Sequence, residues 1–319
     1  MSSQATQTNT SLPTTVTLHE VCPREGLQSQ SRVIDTNQKL KFISELAETG
    51  LSRIEVTGFF HPVQVPQLAD AGEVMKQIAK RNGNGIRYAA HIPNETGFQR
   101  AREAGANSVI VCLAASDETA RRDADGCNST QDCMTNKLQR LAAEAKSHGM
   151  WVRIFITTAW ACPYEGPIPP ERIRQICETL IGYGVDEICL VDSLASATPA
   201  DVDVLLSKVT EVVPKEKLAV HFHDNRGMAL SNIRSSLNHG ISVIDTAAAG
   251  LGGHGRCSYI PRNPVMAATE DVLFMLSGLG IKTGVDIEKV QKAGHNVAHV
   301  LGVQPLGRYS LAGPVERIR

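Results

Sequence analysis

Eight short β-rich runs alternate with amphipathic helical segments along almost the whole 319-residue chain. Neighbouring parallel strands need a crossover connection, usually a helix, so this alternation predicts a parallel sheet. Eight such units in roughly 300 residues fit a closed (β/α)8 barrel, a TIM barrel of the α/β class. The runs are Val16–Val21, Ser52–Thr57, Ile86–His91, Ser108–Leu113, Trp151–Thr157, Glu187–Val191, Leu218–His223 and Ser242–Ala247.

An open doubly wound sheet is the alternative to a barrel. Such a sheet usually has a glycine-rich phosphate turn after its first strand. Here the first run is followed by Cys22-Pro23-Arg24-Glu25-Gly26, which lacks that pattern. We therefore expect one barrel domain over residues 16–319, ending in a C-terminal helix and tail. Residues 1–15 are rich in Ser, Thr, Gln and Asn, and we expect them to form a disordered tail.

The segments between the β-rich runs have the signals of helices. Leu40, Ile43 and Leu46 follow the three-and-four spacing of an amphipathic helix, with Thr36 before it and Gly50 after it. We predict helices over Asn37–Glu48, Lys137–Ser147, Pro170–Ile181 and Ala200–Val213, the last of which is opened by Thr198-Pro199.

The composition is that of a globular protein, with 42% hydrophobic and 20% charged residues. The net charge is −1 with both signs dispersed, which argues against a nucleic-acid partner. No apolar run reaches the length of a membrane span. The first fifteen residues have neither an apolar signal core nor any Arg or Lys, so we expect a cytoplasmic protein that does not bind membranes.

The eight cysteines include no Cys-x-x-Cys pair. Without a secretion signal we expect reduced thiols rather than a disulfide framework. Cys112 and Cys189 lie inside apolar strand-like runs, and we expect both in the core.

Two histidines end the seventh run, in Val220-His221-Phe222-His223-Asp224. Side chains alternate along a strand, so His221 and His223 point to the same side and can share one target. Such a pair is a two-point chelate for a divalent metal. The alternative is a strand end whose two histidines are solvated or hydrogen-bonded.

Polar residues gather at the carboxyl ends of the runs, which is where a barrel carries its chemistry. A mixed set of oxygen and nitrogen ligands suits Mg²⁺, Mn²⁺ or Zn²⁺ with positions left open for substrate. In the alternative reading, Glu25 and Glu55 are paired with barrel arginines such as Arg24 and Arg153, because buried charges need partners. The polar residues at this end are Arg24, Glu25, Glu55, Thr57, His61, His91, Asn94, Thr157, Thr158, Asp192, Ser193, His221, His223, His254 and Asn263.

From Val16 to about Leu301 the chain resembles the 3-hydroxy-3-methylglutaryl-CoA lyase group of metal-dependent TIM-barrel lyases and condensing enzymes. The motifs that carry the resemblance lie at the strand ends and in the loop after the eighth run. They are Glu20-Val21-Cys22-Pro23-Arg24-Glu25-Gly26-Leu27-Gln28, Ile54-Glu55-Val56-Thr57 with Val65-Pro66-Gln67, Ala161-Cys162-Pro163-Tyr164-Glu165-Gly166, Asp192 with Thr198-Pro199, His221-Phe222-His223-Asp224, Gly250-Leu251-Gly252-Gly253, Thr269-Glu270-Asp271 and Gly278-Leu279-Gly280.

The resemblance implies roles for particular side chains. Arg24 neutralises an enolate or carbonyl oxygen, and Glu55 and Asp192 match polar residues around the substrate pocket. The metal ligands that it implies are Glu25, His221, His223 and Asn263, and the metal is Mg²⁺ or Mn²⁺, with Zn²⁺ as a further option.

Two positions depart from the family pattern. The family usually has Arg-Asp-Gly where this chain has Arg24-Glu25-Gly26, and Glu is one methylene longer. The lyases have Cys directly after Leu-Gly-Gly, where this chain has His254, with Cys257 three residues later. Either His254 takes over proton transfer, or Cys257 reaches the site on the loop, or His254 is solvated and inert.

The activity implied by the resemblance is cleavage of a 3-hydroxyacyl-CoA to a keto acid and acetyl-CoA by retro-Claisen chemistry. The substrate is an acyl-CoA, and Arg256 and Arg262 on the loop are candidates to bind a phosphate of its CoA moiety. Two alternatives stay open, a condensing synthase or aldolase, and a degraded barrel that acts as a binding subunit. We expect a homo-oligomer, in its simplest form a dimer.

Overall fold

The computed structural model describes residues 12–123, 127–253 and 265–313. Eight parallel strands close into a barrel in the order β1-β8-β7-β6-β5-β4-β3-β2, so the predicted TIM barrel is confirmed. The strand bounds differ from the predicted runs by at most one residue at either end. The strands are β1 (Thr17–Glu20), β2 (Arg53–Gly58), β3 (Arg87–His91), β4 (Ser108–Ala114), β5 (Trp151–Thr157), β6 (Glu187–Asp192), β7 (Leu218–Phe222) and β8 (Val243–Thr246).

The helices pack around the outside of the barrel, and several short helical turns lie in the loops. After β5 the two-residue strands Ala161–Cys162 and Gly166–Pro167 pair antiparallel. The α-helices are α1 (Thr36–Ala47), α2 (Ala71–Ala79), α3 (Glu95–Glu103), α4 (Asp117–Asp123), α5 (Thr130–Asp132), α6 (Gln139–Ser147), α7 (Pro170–Gly182), α8 (Pro199–Val209), α9 (Ala229–Asn238), α10 (Thr269–Gly278), α11 (Ile287–Leu301) and α12 (Arg308–Ala312). The remaining turns are π-helical over Cys22–Gly26 and Cys133–Leu138, and 3-10 over Pro66–Leu68, Lys215–Lys217 and Ala248–Gly250.

Helix ends differ from the predictions where a side chain caps the backbone. α1 is capped by Asp35, because its carboxylate accepts from Gln38 N at 2.8 Å. The helix predicted over 137–147 begins earlier, since Ser129 accepts from Asp132 N at 3.1 Å and opens a continuous helical segment there. The predicted cap of α8 is confirmed, and Thr198 and Asp201 form a capping box.

One disulfide corrects the expectation that all the thiols are reduced. Cys127 and Cys133 are bonded, with their Cα atoms 5.3 Å apart. The sequence spacing gave no signal for this pair, because the winding of the chain into the π-helical turn at Cys133 brings the two sulfurs together. The free thiols among the described residues are those of Cys22, Cys112, Cys162, Cys177 and Cys189.

The barrel interior has an apolar middle. Side chains from β3 to β8 form a small cluster that fills the centre, so the barrel interior is packed and is not an open pore. Within the described residues no helix is both long and apolar enough to span a membrane. The cluster consists of Ala89, Ile110, Phe155, Cys189, Val191, Ala219 and Val243.

Candidate metal-binding and catalytic site

The π-helical turn after β1 places Arg24 and Glu25 side by side at the carboxyl end of the barrel. Gly26 closes this turn, and a Cβ atom there would lie 2.4 Å from the carbonyl oxygen of Leu251. Glu20 anchors the turn, because its Oε1 accepts hydrogen bonds from the N–H groups of Cys22 and Ala248, both at 2.9 Å. The turn is thereby fixed to the start of the loop after β8.

Glu25 meets the two histidines of β7. Its Oε1 lies 3.0 Å from Nε2 of His223 and 3.4 Å from Nε2 of His221. One possible ligand atom from each of the three residues lies within 4.8 Å of the others, and all three side chains are buried. The structure thus brings together three of the four ligands that the sequence predicted.

Second partners orient both imidazole rings. Nδ1 of His221 lies 3.1 Å from Oδ2 of Asp245 on β8, and Nδ1 of His223 lies 2.9 Å from the backbone oxygen of Asp192. Each Nδ1 therefore carries the proton and each Nε2 is directed towards Glu25. Sequence reasoning missed Asp245, although a carboxylate in the apolar β8 run was a usable signal.

The charges of this cluster favour a bound cation. Burial alone would raise the pKa of Glu25, but His221 and Arg24 outweigh it and hold that pKa well below its usual range. Burial lowers the pKa of His221, but the carboxylates of Glu25 and Asp245 outweigh it and raise this pKa to about 9. The site therefore attracts positive charge to the point where a metal ion would lie.

The donor atoms of Glu25, His221 and His223 are suitable ligands for a divalent metal. Nε2 of His221 is buried, makes no hydrogen bond within the described part of the chain, and faces the Glu25 carboxylate. One carboxylate and two imidazoles, whose Nε2 atoms both face that carboxylate, are a ligand set that suits Mn²⁺, Zn²⁺ or Mg²⁺. The fourth predicted ligand, Asn263, lies outside the described residues.

Arg24 forms a bidentate ion pair with Glu55. Its Nε lies 2.7 Å from Oε1 and its Nη2 lies 2.9 Å from Oε2, while Nη2 also lies 3.1 Å from Oε2 of Glu25. The predicted pairing of both acids with an arginine is therefore found, although the partner is Arg24 and not Arg153. Nη1 of Arg24 is buried and has no hydrogen-bond partner among the described residues, so this N–H donor is available to a ligand.

Asp192 orders the loop after β6. Its carboxylate accepts hydrogen bonds from Ser196 N at 3.0 Å and Ala197 N at 2.9 Å. These contacts also fix the backbone oxygen that orients His223. Its predicted place in the substrate pocket stays a prediction.

Two further side chains, those of His91 and Cys112, form a row of hydrogen-bonded groups that starts at Glu55. Nδ1 of His91, at the end of β3, lies 3.2 Å from Oε1 of Glu55. Sγ of Cys112, on β4, lies 3.5 Å from Nε2 of His91. Cys112 packs against the apolar cluster inside the barrel, as expected, but it is only partly buried.

The loop after β8 leaves and re-enters the barrel beside the cluster. Gly253 N donates to Oε1 of Glu25 at 3.1 Å, and the carbonyl oxygen of Val265 accepts from Asp224 N at 2.6 Å. Both ends of the loop are thus held at the site. The predicted loop residues His254, Arg256, Cys257, Arg262 and Asn263 lie outside the described residues.

Comparisons with known proteins agree with this geometry. The family model described as HMGL-like matches residues 15–297. A hydroxymethylglutaryl-CoA lyase of Bacillus subtilis is 38% identical over 290 residues, which are 91% of this chain and 94% of the relative. The cytoplasmic 3-hydroxy-3-methylglutaryl-CoA lyase of Mus musculus is 40% identical over 283 residues, 89% of this chain and 80% of that protein.

Solved structures give the same result. The crystal structure of the Bacillus subtilis HMG-CoA lyase is matched with a TM-score of 0.89 and 36% identity, covering 95% of this chain and 99% of that one. An HMG-CoA lyase from Acinetobacter baumannii, in complex with coenzyme A and 3-methylmalate, is matched with a TM-score of 0.87 and 28% identity over 97% of this chain and 99% of that one. The chain therefore belongs to the HMGL-like family and is a divalent-metal-dependent carbon–carbon lyase.

Proposed function

We propose that the protein cleaves a 3-hydroxyacyl-CoA of the 3-hydroxy-3-methylglutaryl type to a keto acid and acetyl-CoA. The observation that carries this proposal is the arrangement of Glu25, His221 and His223 directly beside Nη1 of Arg24, which has no partner among the described residues. The names of the related lyases support the substrate class. The coenzyme A in the Acinetobacter baumannii structure supports the acyl carrier.

The metal site in this proposal consists of Glu25, His221 and His223, with Asn263 as the fourth ligand. The ion is Mg²⁺ or Mn²⁺, with Zn²⁺ as a further option. When bound, it supplies a Lewis acid and a template for the hydroxyl and carboxylate of the substrate. The chain itself fixes the tautomer of both imidazole rings. Nδ1 of His221 donates to Asp245 and Nδ1 of His223 donates to the backbone oxygen of Asp192, which leaves each Nε2 for the metal.

Arg24 stabilises the oxygen on which negative charge develops. Cleavage of the C2–C3 bond leaves the electron pair on C2 as a thioester enolate, whose oxygen needs a positive partner. The guanidinium cannot rotate, because Nε and Nη2 are bonded to Glu55. Its Nη1, which no described residue uses, is therefore a preorganised donor for that oxygen.

The enolate carbon must receive a proton, and we propose that the loop after β8 supplies it. His254 follows Gly253 directly and is the first candidate, and Cys257 is the second. The bond between Gly253 N and Glu25 supports this placement, because it holds the residue before His254 at the metal ligands. Glu55 and Asp192 line the pocket, and Arg256 and Arg262 bind a CoA phosphate.

A substrate with a different group at C3 is the second candidate. Glu25 in place of the usual Asp and His254 in place of Cys both alter the surroundings of the reacting carbons. The 3-methylmalate in the Acinetobacter baumannii complex also supports it, since a hydroxy-dicarboxylate other than hydroxymethylglutarate occupies that relative.

We also propose that the protein forms a homodimer and that it is located in the cytoplasm. The mouse relative is named cytoplasmic, whereas an Arabidopsis thaliana relative is named mitochondrial. Light scattering of the purified protein and imaging of a tagged full-length chain test the two statements.

The deciding experiment is a substrate panel with the full-length protein loaded with Mg²⁺ or Mn²⁺. Hydroxymethylglutaryl-CoA and methylmalyl-CoA are supplied, and acyl-CoA products are identified by mass spectrometry. We expect acetyl-CoA from the first substrate, and none from a chelator-treated sample or from His223→Ala. Full metal occupancy without cleavage of any substrate would favour the binding-subunit alternative. Formation of product only from a keto acid and acetyl-CoA would favour the synthase.

A further inference from the structure

Three neighbouring strands contribute one side chain each to a continuous polar row at the barrel mouth. Glu55 on β2, His91 on β3 and Cys112 on β4 follow one another at 3.2 Å between Oε1 and Nδ1 and at 3.5 Å between Nε2 and Sγ. A carboxylate, an imidazole and a thiol in this order are the parts of a proton-transfer triad. The metal cluster does not use this row, because its ligands come from β7 and from the turn after β1.

The ring of His91 is fixed in one orientation. Phe60 stacks on it with the ring centroids 5.1 Å apart, and Phe155 approaches its edge at 6.2 Å. Gly58 makes the stacking possible, since a Cβ atom there would lie 2.5 Å from the Phe60 ring. The imidazole therefore keeps one nitrogen on the carboxylate and the other on the thiol.

The protonation states set the direction of both hydrogen bonds. Burial raises the pKa of Glu55, but Arg24 outweighs it and lowers that pKa, so the carboxylate is ionised. Burial lowers the pKa of His91, so the ring is neutral, and burial raises the pKa of the Cys112 thiol to about 12. Nδ1–H of His91 then donates to Glu55, and the free lone pair of Nε2 accepts from the thiol.

Cys112 is the member of the row that is accessible. His91 and Glu55 are buried, whereas Cys112 retains exposed surface. Through His91 and Glu55 the sulfur is connected to Arg24, the donor of the proposed reaction site. The sulfur is therefore the member of the row that a ligand can reach, with the imidazole and the carboxylate behind it.

We propose that Cys112, His91 and Glu55 form a relay that takes the proton leaving the 3-hydroxyl of the substrate. This inference rests on the proposed lyase activity. The sulfur accepts the hydroxyl proton as it passes its own proton to Nε2 of His91. The O–H electron pair becomes the second bond of the new carbonyl, and the C2–C3 pair stays on C2. The imidazolium, held by the Glu55 carboxylate, returns its proton to water before the next turnover.

Replacement of Cys112 tests the relay directly. In the metal-loaded full-length protein, Cys112→Ala should lower kcat by about 10²-fold while KM stays within about threefold. Cys112→Ser should recover about tenfold of that loss, because a hydroxyl can also pass a proton. Cys177→Ala is the matched control, since this buried thiol lies in α7, outside the site. A Cys112→Ala protein with near-normal kcat overturns the proposal.

The pH profile tests the imidazole. The relay accepts a proton only while His91 is neutral, so kcat should fall as the pH drops through the His91 pKa, which lies below its ordinary value. Glu55, Arg24, Glu25 and Cys112 are the charged and titratable groups that face this ring. His91→Leu should lose most of the rate together with this acid limb. An acid limb that persists unchanged in His91→Leu contradicts the assignment.

Chemical modification of the thiol tests the row of Cys112, His91 and Glu55 independently of the proposed lyase activity. If the wild-type protein cleaves no acyl-CoA, the proposed function fails, and the row is then examined by alkylation of the full-length protein with iodoacetamide and peptide mass mapping. Because the pKa of the Cys112 thiol is raised, we expect its modification to be slow near neutral pH, to become faster as the pH is raised and to remain faster than that of Cys177, and we expect His91→Leu to change the rate at Cys112. A Cys112 as unreactive as Cys177 overturns the relay, because its sulfur then has no access to a ligand.

Discussion

Glu25 uses its two carboxylate oxygens for different partners. Oε2 accepts from Arg24, while Oε1 faces the Nε2 atoms of His221 and His223 and also accepts from Gly253 N. An ion pair and a metal ligand are therefore compatible roles for one side chain. The extra methylene of Glu, relative to the Asp usual in the family, allows the carboxylate to span the distance between the guanidinium and the histidines.

Arg24 is the first residue for which we predict an effect on rate. Arg24→Met should lower kcat by about 10²-fold or more, because it removes a fixed donor to the developing oxyanion. Steady-state kinetics with the acyl-CoA substrate measure this effect. Arg102→Met is the control, since Arg102 is an exposed arginine of α3. A change in KM alone would mean that Arg24 binds substrate and transition state equally.

Asp245 should act through His221. Asp245→Asn removes the negative charge and one of the two acceptor oxygens, which Arg153 and His221 share, so the imidazole is held less firmly and Mn²⁺ affinity should fall by about 10- to 100-fold. Titration calorimetry measures this affinity without any substrate. Asp203→Asn is the matched control, because Asp203 also faces a histidine, His239, but at the surface of α8. Equal Mn²⁺ affinity in wild type and Asp245→Asn would show that the ring is held by other contacts.

Sequence reasoning succeeded for residues whose direction follows from local geometry. Alternation along a strand sufficed to place His221 and His223 on one side. It failed where two strands must meet, because the contacts of Asp245 with His221 and of His91 with Glu55 depend on barrel register. The partial exposure of Cys112 was not predicted, because an apolar run does not reveal which of its residues lies at the open end.

At the level of elements, the loop after β8 carries both candidate proton donors, His254 and Cys257. If His254 is the proton donor, activity should fall as it deprotonates, and the basic limb of the pH–rate profile should vanish in His254→Ala. The residual rate should be low and flatter with pH. The measurement is kcat across the neutral and basic range.

The same measurement on a Cys257 variant tests the second candidate donor. If its thiol is the donor, Cys257→Ala should cause the loss of rate, and His254→Ala should be mild. Near-normal rates in both variants would transfer the role to metal-bound water or to a group at the barrel mouth.

The strands were predicted closely and the helices less so. Strand ends coincide with changes in apolar patterning, which are visible in the sequence. Helix ends depend on which side chain caps the backbone, and Asp35 and Ser129 were not recognised as caps. The disulfide between Cys127 and Cys133 was missed for a related reason, since it depends on local winding and not on a cysteine motif.

For the molecule as a whole, an arginine in the barrel interior connects distant strands. Arg153 on β5 lies 2.7 Å from Asp245 on β8 through Nη2, and its Nη1 contacts Nδ1 of His19 on β1. Burial would raise the pKa of Asp245, but Arg153 outweighs it and holds that pKa well below its ordinary value. The ionised carboxylate that orients His221 therefore depends on a cation across the barrel.

Removal of this cation should weaken the entire fold. Arg153→Leu leaves Asp245 buried with too little positive charge, and the free energy of unfolding should fall by about 3–5 kcal/mol. Urea unfolding followed by circular dichroism measures the change. Arg174→Leu, which breaks exposed ion pairs on α7, should change stability by no more than about 1 kcal/mol. Equal decreases in the free energy of unfolding of the two variants would show that the buried pair of Arg153 and Asp245 stabilises the fold no more than the exposed pairs do.

The closed barrel itself could be predicted because eight alternating units leave few other arrangements. Its interior charges could not, because the pairing of Arg153 with Asp245 appears only once the sheet has closed on itself. The sequence offered Arg24 and Arg153 as possible partners of Glu55, and in the structure Arg24 is its partner, whereas Arg153 pairs with Asp245 and Glu187.

The two anchored ends of the loop after β8 make the segment between them exchangeable. Gly253 is tied to Glu25 and Val265 to the residue after His223, so both attachment points of the segment 254–264 are held by contacts outside it. Substrate preference and proton donor can thus be altered together by replacing positions 254–262, while Asn263, the proposed fourth metal ligand, and the barrel stay as they are. Transplanting the corresponding segment of a related lyase onto these two anchors would be a direct route to redesigning this enzyme.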